Sequence, residues 1–169
     1  MSVPHYPDRP IPFYLIRLRD FLRWLRVKKI KRFSLSKFMI GNGSRFGPRL
    51  RNYSPSFLVI GNDVSIGSDF RAEVNLTISD DVLISSHVSF IGNDHDVFDR
   101  NKTVKTCARL PENTTNVCSN VFIGYGATII GSVSIAEGCV IGAHAVITKD
   151  TEPYKVYVGI PARAIRDRI

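Results

Sequence analysis

Every sixth residue from Ile60 onward is apolar: Ile60, Ile66, Ala72, Ile78, Ile84 and Phe90. The series restarts at Ile123 and runs through Ile129, Ile135, Ile141 and Ile147. The position two residues earlier repeats in step, as Leu58, Val64, Phe70, Leu76, Val82 and Val88, then Val121, Ala127, Val133, Cys139 and Ala145. Weaker copies stand earlier, at Ile40-Gly41 and Phe46-Gly47. A period of six is neither the helical 3.6 nor simple strand alternation. Residues two apart share one side of a strand, so each repeat is a short straight edge followed by a bend. Three such edges close a triangular coil of eighteen residues, and residues eighteen apart stack as parallel strands. Gly61, Gly67, Gly124 and Gly142 follow the isoleucine. Tight corners often need a positive φ, which Gly supplies and Asn and Asp tolerate, so these glycines, Gly-Asn-Asp (61–63) and Ser-Asp-Asp (79–81) read as corners. A sandwich, with strands recurring every 8–12 residues, fits the phase poorly.

This pattern resembles the hexapeptide-repeat acyltransferases over residues 38–169. The match is strongest from Val121, through Ile-Gly-x-x-Ala-x-Ile, a second Ile-Gly, Ile-Thr-Lys-Asp and Val-Gly-Ile-Pro-Ala-Arg-Ala-Ile. The tail is similar to that of the sugar-modifying acetyltransferases. The resemblance implies an all-β fold, a left-handed parallel β-helix solenoid ending in a short C-terminal helix or arm. It also implies a homotrimer with active sites between subunits. The handedness comes from the family alone, since the spacing does not reveal it.

The repeat breaks over residues 93–120, a polar stretch with one proline. A long loop inside a regular solenoid is usually functional or disordered. It opens with Gly92-Asn93-Asp94-His95-Asp96. Imidazole accepts a proton near neutral pH, which suits deprotonation of an attacking hydroxyl or amine. In the family a catalytic histidine stands at the start of this loop, and His95 occupies that place. Asn93, Asp94 and Asp96 are its companions for acceptor contact or for orienting the imidazole, although Asn and Asp also simply favour turns. The resemblance places Tyr125, Ala143, Thr148 and Lys149 at positions that contact coenzyme A, with Arg163 and Arg166 near its phosphates. Tyr125 is bulkier than the residues usual there.

His87 and His144 sit at turn-like positions of the repeat and read as structural. Gamma-class carbonic anhydrases, which share this kind of helix, bind zinc through three histidines, two of them five residues apart. His87, His95 and His144 contain no such pair, so no metal is expected.

The chain carries a net charge of +8 over 169 residues, concentrated in the first 51. Residues 1–37 form an extension whose segment 13–33 reads as a basic amphipathic helix. Leu15, Leu18, Leu22 and Leu25 recur at helical spacing. Arg17, Arg19, Arg23, Arg26, Lys28, Lys29, Lys31 and Arg32 surround them, and Asp20 is the one acid. Such a helix suits peripheral contact with an anionic membrane, or it caps the open end of the solenoid; the two are compatible. No nucleic-acid-reading module accompanies the charge. Cys107, Cys118 and Cys139 form no Cys-x-x-Cys pair and read as free thiols. No signal peptide is evident, so a cytoplasmic enzyme is expected, with the inner face of the membrane as its place where that helix binds lipid.

These features together lead to an acetyl-CoA-dependent acetyltransferase acting on a sugar hydroxyl, in surface-polysaccharide biosynthesis. N-acetylation of a nucleotide-linked amino sugar is the alternative within the class. A non-catalytic β-helix scaffold or binding subunit is the alternative outside it.

Overall fold

The computed structural model describes residues 17, 18, 21, 22, 25, 28 and 36–168. Short strands wind in coils, each contributing one strand to each of three parallel sheets. The first coil holds β1 (Lys37–Ile40), β2 (Arg45–Phe46) and β3 (Arg51–Asn52). The second holds β4 (Phe57–Ile60), β5 (Ser65–Ile66) and β6 (Arg71–Ala72). The third holds β7 (Asn75–Ile78), β8 (Leu83–Ile84) and β9 (Ser89–Ile91). The fourth holds β10 (Thr114–Val117), β11 (Phe122–Ile123) and β12 (Thr128–Ile130). The fifth holds β13 (Ser134–Ile135), β14 (Val140–Ile141) and β15 (Val146–Ile147). A hairpin of β16 (Lys155–Gly159) and β17 (Ala162–Asp167) follows. The sheets run β1-β4-β7-β10-β13, β2-β5-β8-β11-β14-β16-β17 and β3-β6-β9-β12-β15.

The register obeys the period. Leu58 pairs with Leu76, Ile66 with Ile84 and Phe122 with Val140, each eighteen apart. The first coil is looser, with Lys37 opposite Phe57. All eleven residues of the Ile60 and Ile123 series are buried, as are all eleven of the position two before it. Inward side chains from three sheets therefore fill one continuous core, and each buried Leu, Ile or Phe contributes about 1.5–3 kcal/mol.

The corners differ from expectation. At most corners the residue with positive φ is the third after the isoleucine-type position: Asp63 (52°), Asp69 (58°), Asp81 (58°), His87 (61°), Asn93 (61°), Asn120 (58°) and His144 (56°), with Gly126 and Gly138 in the same role; Asn75, Ser132 and Asp150 are the exceptions. Gly61, Gly67, Gly124 and Gly142 are not among the positive-φ residues. A Cβ on Gly124 would lie 2.6 Å from the backbone nitrogen of Ala143, and one on Gly67 would lie 2.5 Å from that of Ser86. These glycines are required by the close approach of the next coil, not by φ.

The inserted loop also closes earlier than the break in the repeat suggests. β10 already stacks on β7, with Thr115 opposite Leu76 and Val117 opposite Ile78. The pairing is 39 residues apart, eighteen for a coil and twenty-one for the insertion. Thr115 hides this edge because it puts a hydroxyl in an apolar slot. The side chain is fully buried, and Oγ1 donates to the Gly131 carbonyl at 2.7 Å.

The C-terminal end is closed by an arm, not a helix. β16 extends the second sheet beside β14, and β17 folds back on it antiparallel. Of the proposed N-terminal helix, residues 17, 18, 21, 22, 25 and 28 are helical, and the rest of 13–33 lies outside the described residues. Leu18, Phe21, Leu22 and Leu25 are 53%, 54%, 42% and 42% exposed. No helix among the described residues is long and apolar enough to cross a membrane.

Candidate active site

The inserted loop leaves the third coil at Asn93, a left-handed corner, and its two ends are tied together there. The Asn93 side-chain amide donates to the Glu73 carbonyl at 2.7 Å, and its oxygen accepts the backbone N–H of Asn113 at 2.6 Å. Its polar atoms thus fasten the base of the loop. Glu112 adds a second tie, accepting from Ser56 Oγ at 2.9 Å and from the amide of buried Asn75 at 3.0 Å.

Beyond this base the chain forms a short antiparallel neck. Asp96 N–H donates to the Ala108 carbonyl, and Leu110 N–H donates to the Asp94 carbonyl, both at 2.8 Å. His95 and Arg109 stand directly opposite between these bonds. His95 is half-buried. Its Nδ1 lies 2.7 Å from the carbonyl oxygen of Cys107. A carbonyl only accepts, so Nδ1 carries the proton, and the neutral imidazole keeps its lone pair on Nε2. That is the form of a general base. The element that orients it is a backbone carbonyl and neither flanking carboxylate. Sequence neighbours on a strand project to opposite faces, so Asp94 and Asp96 point away from the face that carries His95. Asp94 is exposed, and Asp96 Oδ1 accepts the N–H of Phe98 in a local turn.

Cys107 is buried, with its Sγ donating to the Thr103 carbonyl at 3.3 Å. This holds the return strand where its carbonyl meets His95. Beyond it the loop projects apolar side chains outward. Phe98 is 86% exposed, with Val97 and Val104 also exposed.

Farther along the same edge, a cleft of about 310 Å³ lies between the fifth coil and the terminal hairpin. Thr148, Lys149, Tyr157, Ala162 and Arg163 are among its lining residues. Thr148 lies two coils below the departure of the loop, roughly 10 Å along the axis at about 4.8 Å per coil. The cleft therefore gathers three of the sequence-predicted cofactor residues: Thr148, Lys149 and Arg163. Arg166 is exposed on β17 opposite Val156 and does not line it.

Residues 114–149 match the family described as bacterial transferase hexapeptide (six repeats). Galactoside O-acetyltransferase of Escherichia coli is 34% identical over 121 residues, covering 67% of this chain and 58% of that protein. The dTDP-4-amino-4,6-dideoxy-D-glucose acyltransferase of Escherichia coli is 33% identical over 112 residues, covering 62% and 57%. A hexapeptide-repeat acetyltransferase of Vibrio cholerae, solved in complex with acetyl-coenzyme A, superposes with a TM-score of 0.65. It is 21% identical, with 94% and 91% of the two chains covered. The chain belongs to the hexapeptide-repeat transferases. It spans a little over half the length of the curated relatives it matches.

Within this hexapeptide-repeat transferase, the other two predicted cofactor residues, Tyr125 and Ala143, sit across the third sheet, on its opposite corner. Tyr125 is half-exposed and stands between His87 and His144, with ring centroids 5.1 and 5.5 Å apart. Both histidines occupy left-handed corner positions. Below them Asp69 pairs with Arg49, whose guanidinium holds that carboxyl below the usual carboxylate range. Among the described residues no group of three His, Cys, Asp or Glu side chains is arranged to hold a metal.

The residue that sequence reading missed is Arg109. Nothing in the local sequence marks it. Its place opposite His95 depends on how the loop folds back, fourteen residues later.

Proposed function

We propose that this chain is an acetyl-CoA-dependent acetyltransferase that acetylates a sugar hydroxyl, with His95 as general base. The observation that carries the reading is the 2.7 Å contact of His95 Nδ1 with the Cys107 carbonyl, which in the neutral imidazole puts the proton on Nδ1 and the lone pair on Nε2. Nε2 takes the proton of the acceptor hydroxyl as its oxygen bonds to the acetyl carbon of the thioester. The carbon–sulfur bond then breaks, and the departing thiolate recovers the proton from the imidazolium. Both substrates must be bound together, since no nucleophile-base pair for a covalent intermediate is assembled among the described residues.

Thr148, Lys149 and Arg163, gathered in one cleft, are proposed to hold coenzyme A, with Tyr125 and Ala143 along its pantetheine and Arg166 toward its phosphates. Arg and Lys suit phosphate on charge and hydrogen-bonding grounds. Phe98, Val97 and Val104, exposed at the loop tip, fit a neighbouring subunit in a homotrimer. Sedimentation equilibrium tests that assembly, with an expected mass three times the 18.9 kDa chain. The exposed leucines on the basic N-terminal helix favour peripheral contact with an anionic membrane surface at its cytoplasmic side, which suits an acceptor from surface-polysaccharide assembly. A similarly folded protein, 21% identical with a TM-score of 0.56, is a polySia-specific acetyltransferase.

The nucleotide amino-sugar acyltransferase among the relatives supports a second reading, N-acetylation. The test is incubation with acetyl-CoA and paired acceptors, followed by mild hydroxide. An ester is cleaved and an amide survives. Absence of acetyl transfer to any sugar by the folded trimer overturns both.

A further inference from the structure

His95 and Arg109 face each other across the neck in the arrangement flanked by, not joined by, the ladder hydrogen bonds. In this pairing the two side chains leave the same face, with Cβ atoms about 4.5–5.5 Å apart. The fastenings are reciprocal. His95 reaches toward the carbonyl of residue 107, and Arg109 Nη1 donates to the carbonyl of Asn93 at 3.2 Å. A permanent cation and the imidazole therefore share one face of the neck, with Arg109 fastened toward its base at Asn93 and His95 toward Cys107 on the loop side.

Among the described residues no ion pair neutralises that cation. Arg49 pairs with Asp69, Arg71 with Glu73 and Lys102 with Asp99. Among the described residues no carboxylate pairs with Arg109, and one hydrogen bond, to Asn93, engages its five N–H donors. Asp94 and Asp96, its nearest acids in the neck, project from the opposite face. The guanidinium fork matches the paired oxygens of a carboxylate or phosphate.

We propose that Arg109 is the anchor for an anionic group on the acceptor, so that the acetylated sugar bears a carboxylate or a phosphate. This rests on the acetyltransferase reading and assigns the substrate class within it. With the anion on Arg109, a sugar hydroxyl is presented to His95 on the same face of the neck. The anion sets position and charge specificity, while His95 moves the proton.

The experiment compares acetyl transfer by the full-length protein to three derivatives of one hexose: the neutral methyl glycoside, the hexuronate and the 1-phosphate. The expected kcat/KM is about tenfold or more higher for at least one anionic acceptor, and the arm that wins names the anion. In Arg109→Ala the preference falls to about one through a rise in KM, and Arg109→Lys retains part of it. Equal kcat/KM for all three acceptors, or a preference that survives in Arg109→Ala, overturns the proposal. A second readout needs no turnover: the Cε1 proton of His95 followed by NMR during titration with the hexose 1-phosphate and the hexuronate. A saturable shift lost in Arg109→Ala is expected, and no shift with either ligand counts against the anchor. If the shift occurs but acetyl is transferred to nothing, the anchor stands and the acetyltransferase reading falls. If transfer occurs without shift or preference, Arg109 alone loses its role.

Discussion

The Nδ1–H of His95 donates to the carbonyl oxygen of Cys107 across the neck of the inserted loop, at 2.7 Å. One bond to the backbone selects the tautomer, fixes the plane of the ring and leaves Nε2 with a lone pair. Removal of the ring by His95→Ala is expected to lower kcat by about 10²–10⁴. His95 contributes nothing to the buried core, so circular dichroism and thermal melting of the variant should match the parent. A turnover within threefold of the parent rules out the base.

The cleft between the fifth coil and the hairpin is the proposed place of coenzyme A recognition. Replacing Lys149 and Arg163 together by alanine removes two cations from its wall. Charge-assisted hydrogen bonds contribute about 1.5–3 kcal/mol each, so calorimetry should show acetyl-CoA affinity falling by roughly a hundredfold or more. Arg166→Ala, outside that wall, should weaken binding less.

The two kinds of corner residue should respond oppositely to substitution. Gly124→Ala places a Cβ 2.6 Å from the Ala143 backbone, which cannot swing aside. Overpacking of this kind costs about 1–3 kcal/mol, readable in urea denaturation. Asp81 is left-handed at φ 58°, so Asp81→Gly should be tolerated, whereas Asp81→Val should lose about 1–2 kcal/mol. Equal effects of Gly124→Ala and Asp81→Gly would contradict the assignment.

Acid stability follows from the corner aspartates. Asp80 accepts the backbone N–H of Asn62 at 2.7 Å, and this bond, with the Asn62 side chain, holds its carboxyl below the ordinary 3.8. Asp69 is lowered in the same direction, chiefly by its bond to Arg49. A lowered folded value means that folding favours the ionised form. The stabilisation is fully present above the unfolded value of 3.8 and disappears as pH falls through the lower folded value. Melting temperatures measured over about pH 5 to 2 should fall less steeply for Asp80→Asn than for the parent.

Exposed leucines on the basic helix predict lipid binding. The intact protein should float with phosphatidylserine vesicles at low salt and be released by roughly 0.5 M salt, where the Debye length drops below about 5 Å. Recovery in the unbound fraction at low salt would show that the helix serves another surface.

How much of this was legible beforehand depends on whether a feature repeats. The alternation of Leu58 and Ile60, carried forward every six residues, determined the coils, their stacking and the identity of the core. Burial on a short straight edge is a local property, so a sequence can write it directly. Thr115 escaped because one hydroxyl satisfied by a carbonyl looks, in sequence, like the end of the core. Gly124 was recognised as a corner and misread in purpose, because the atom it must avoid belongs to Ala143 in the next coil. His95 stood out as a candidate from its place at the mouth of the insertion. Its Cys107 partner, the outward turn of Asp94 and Asp96, and the apposition of Arg109 were not. Those depend on where twenty-one aperiodic residues fold back, and that is settled by long-range hydrogen bonds which no local pattern encodes.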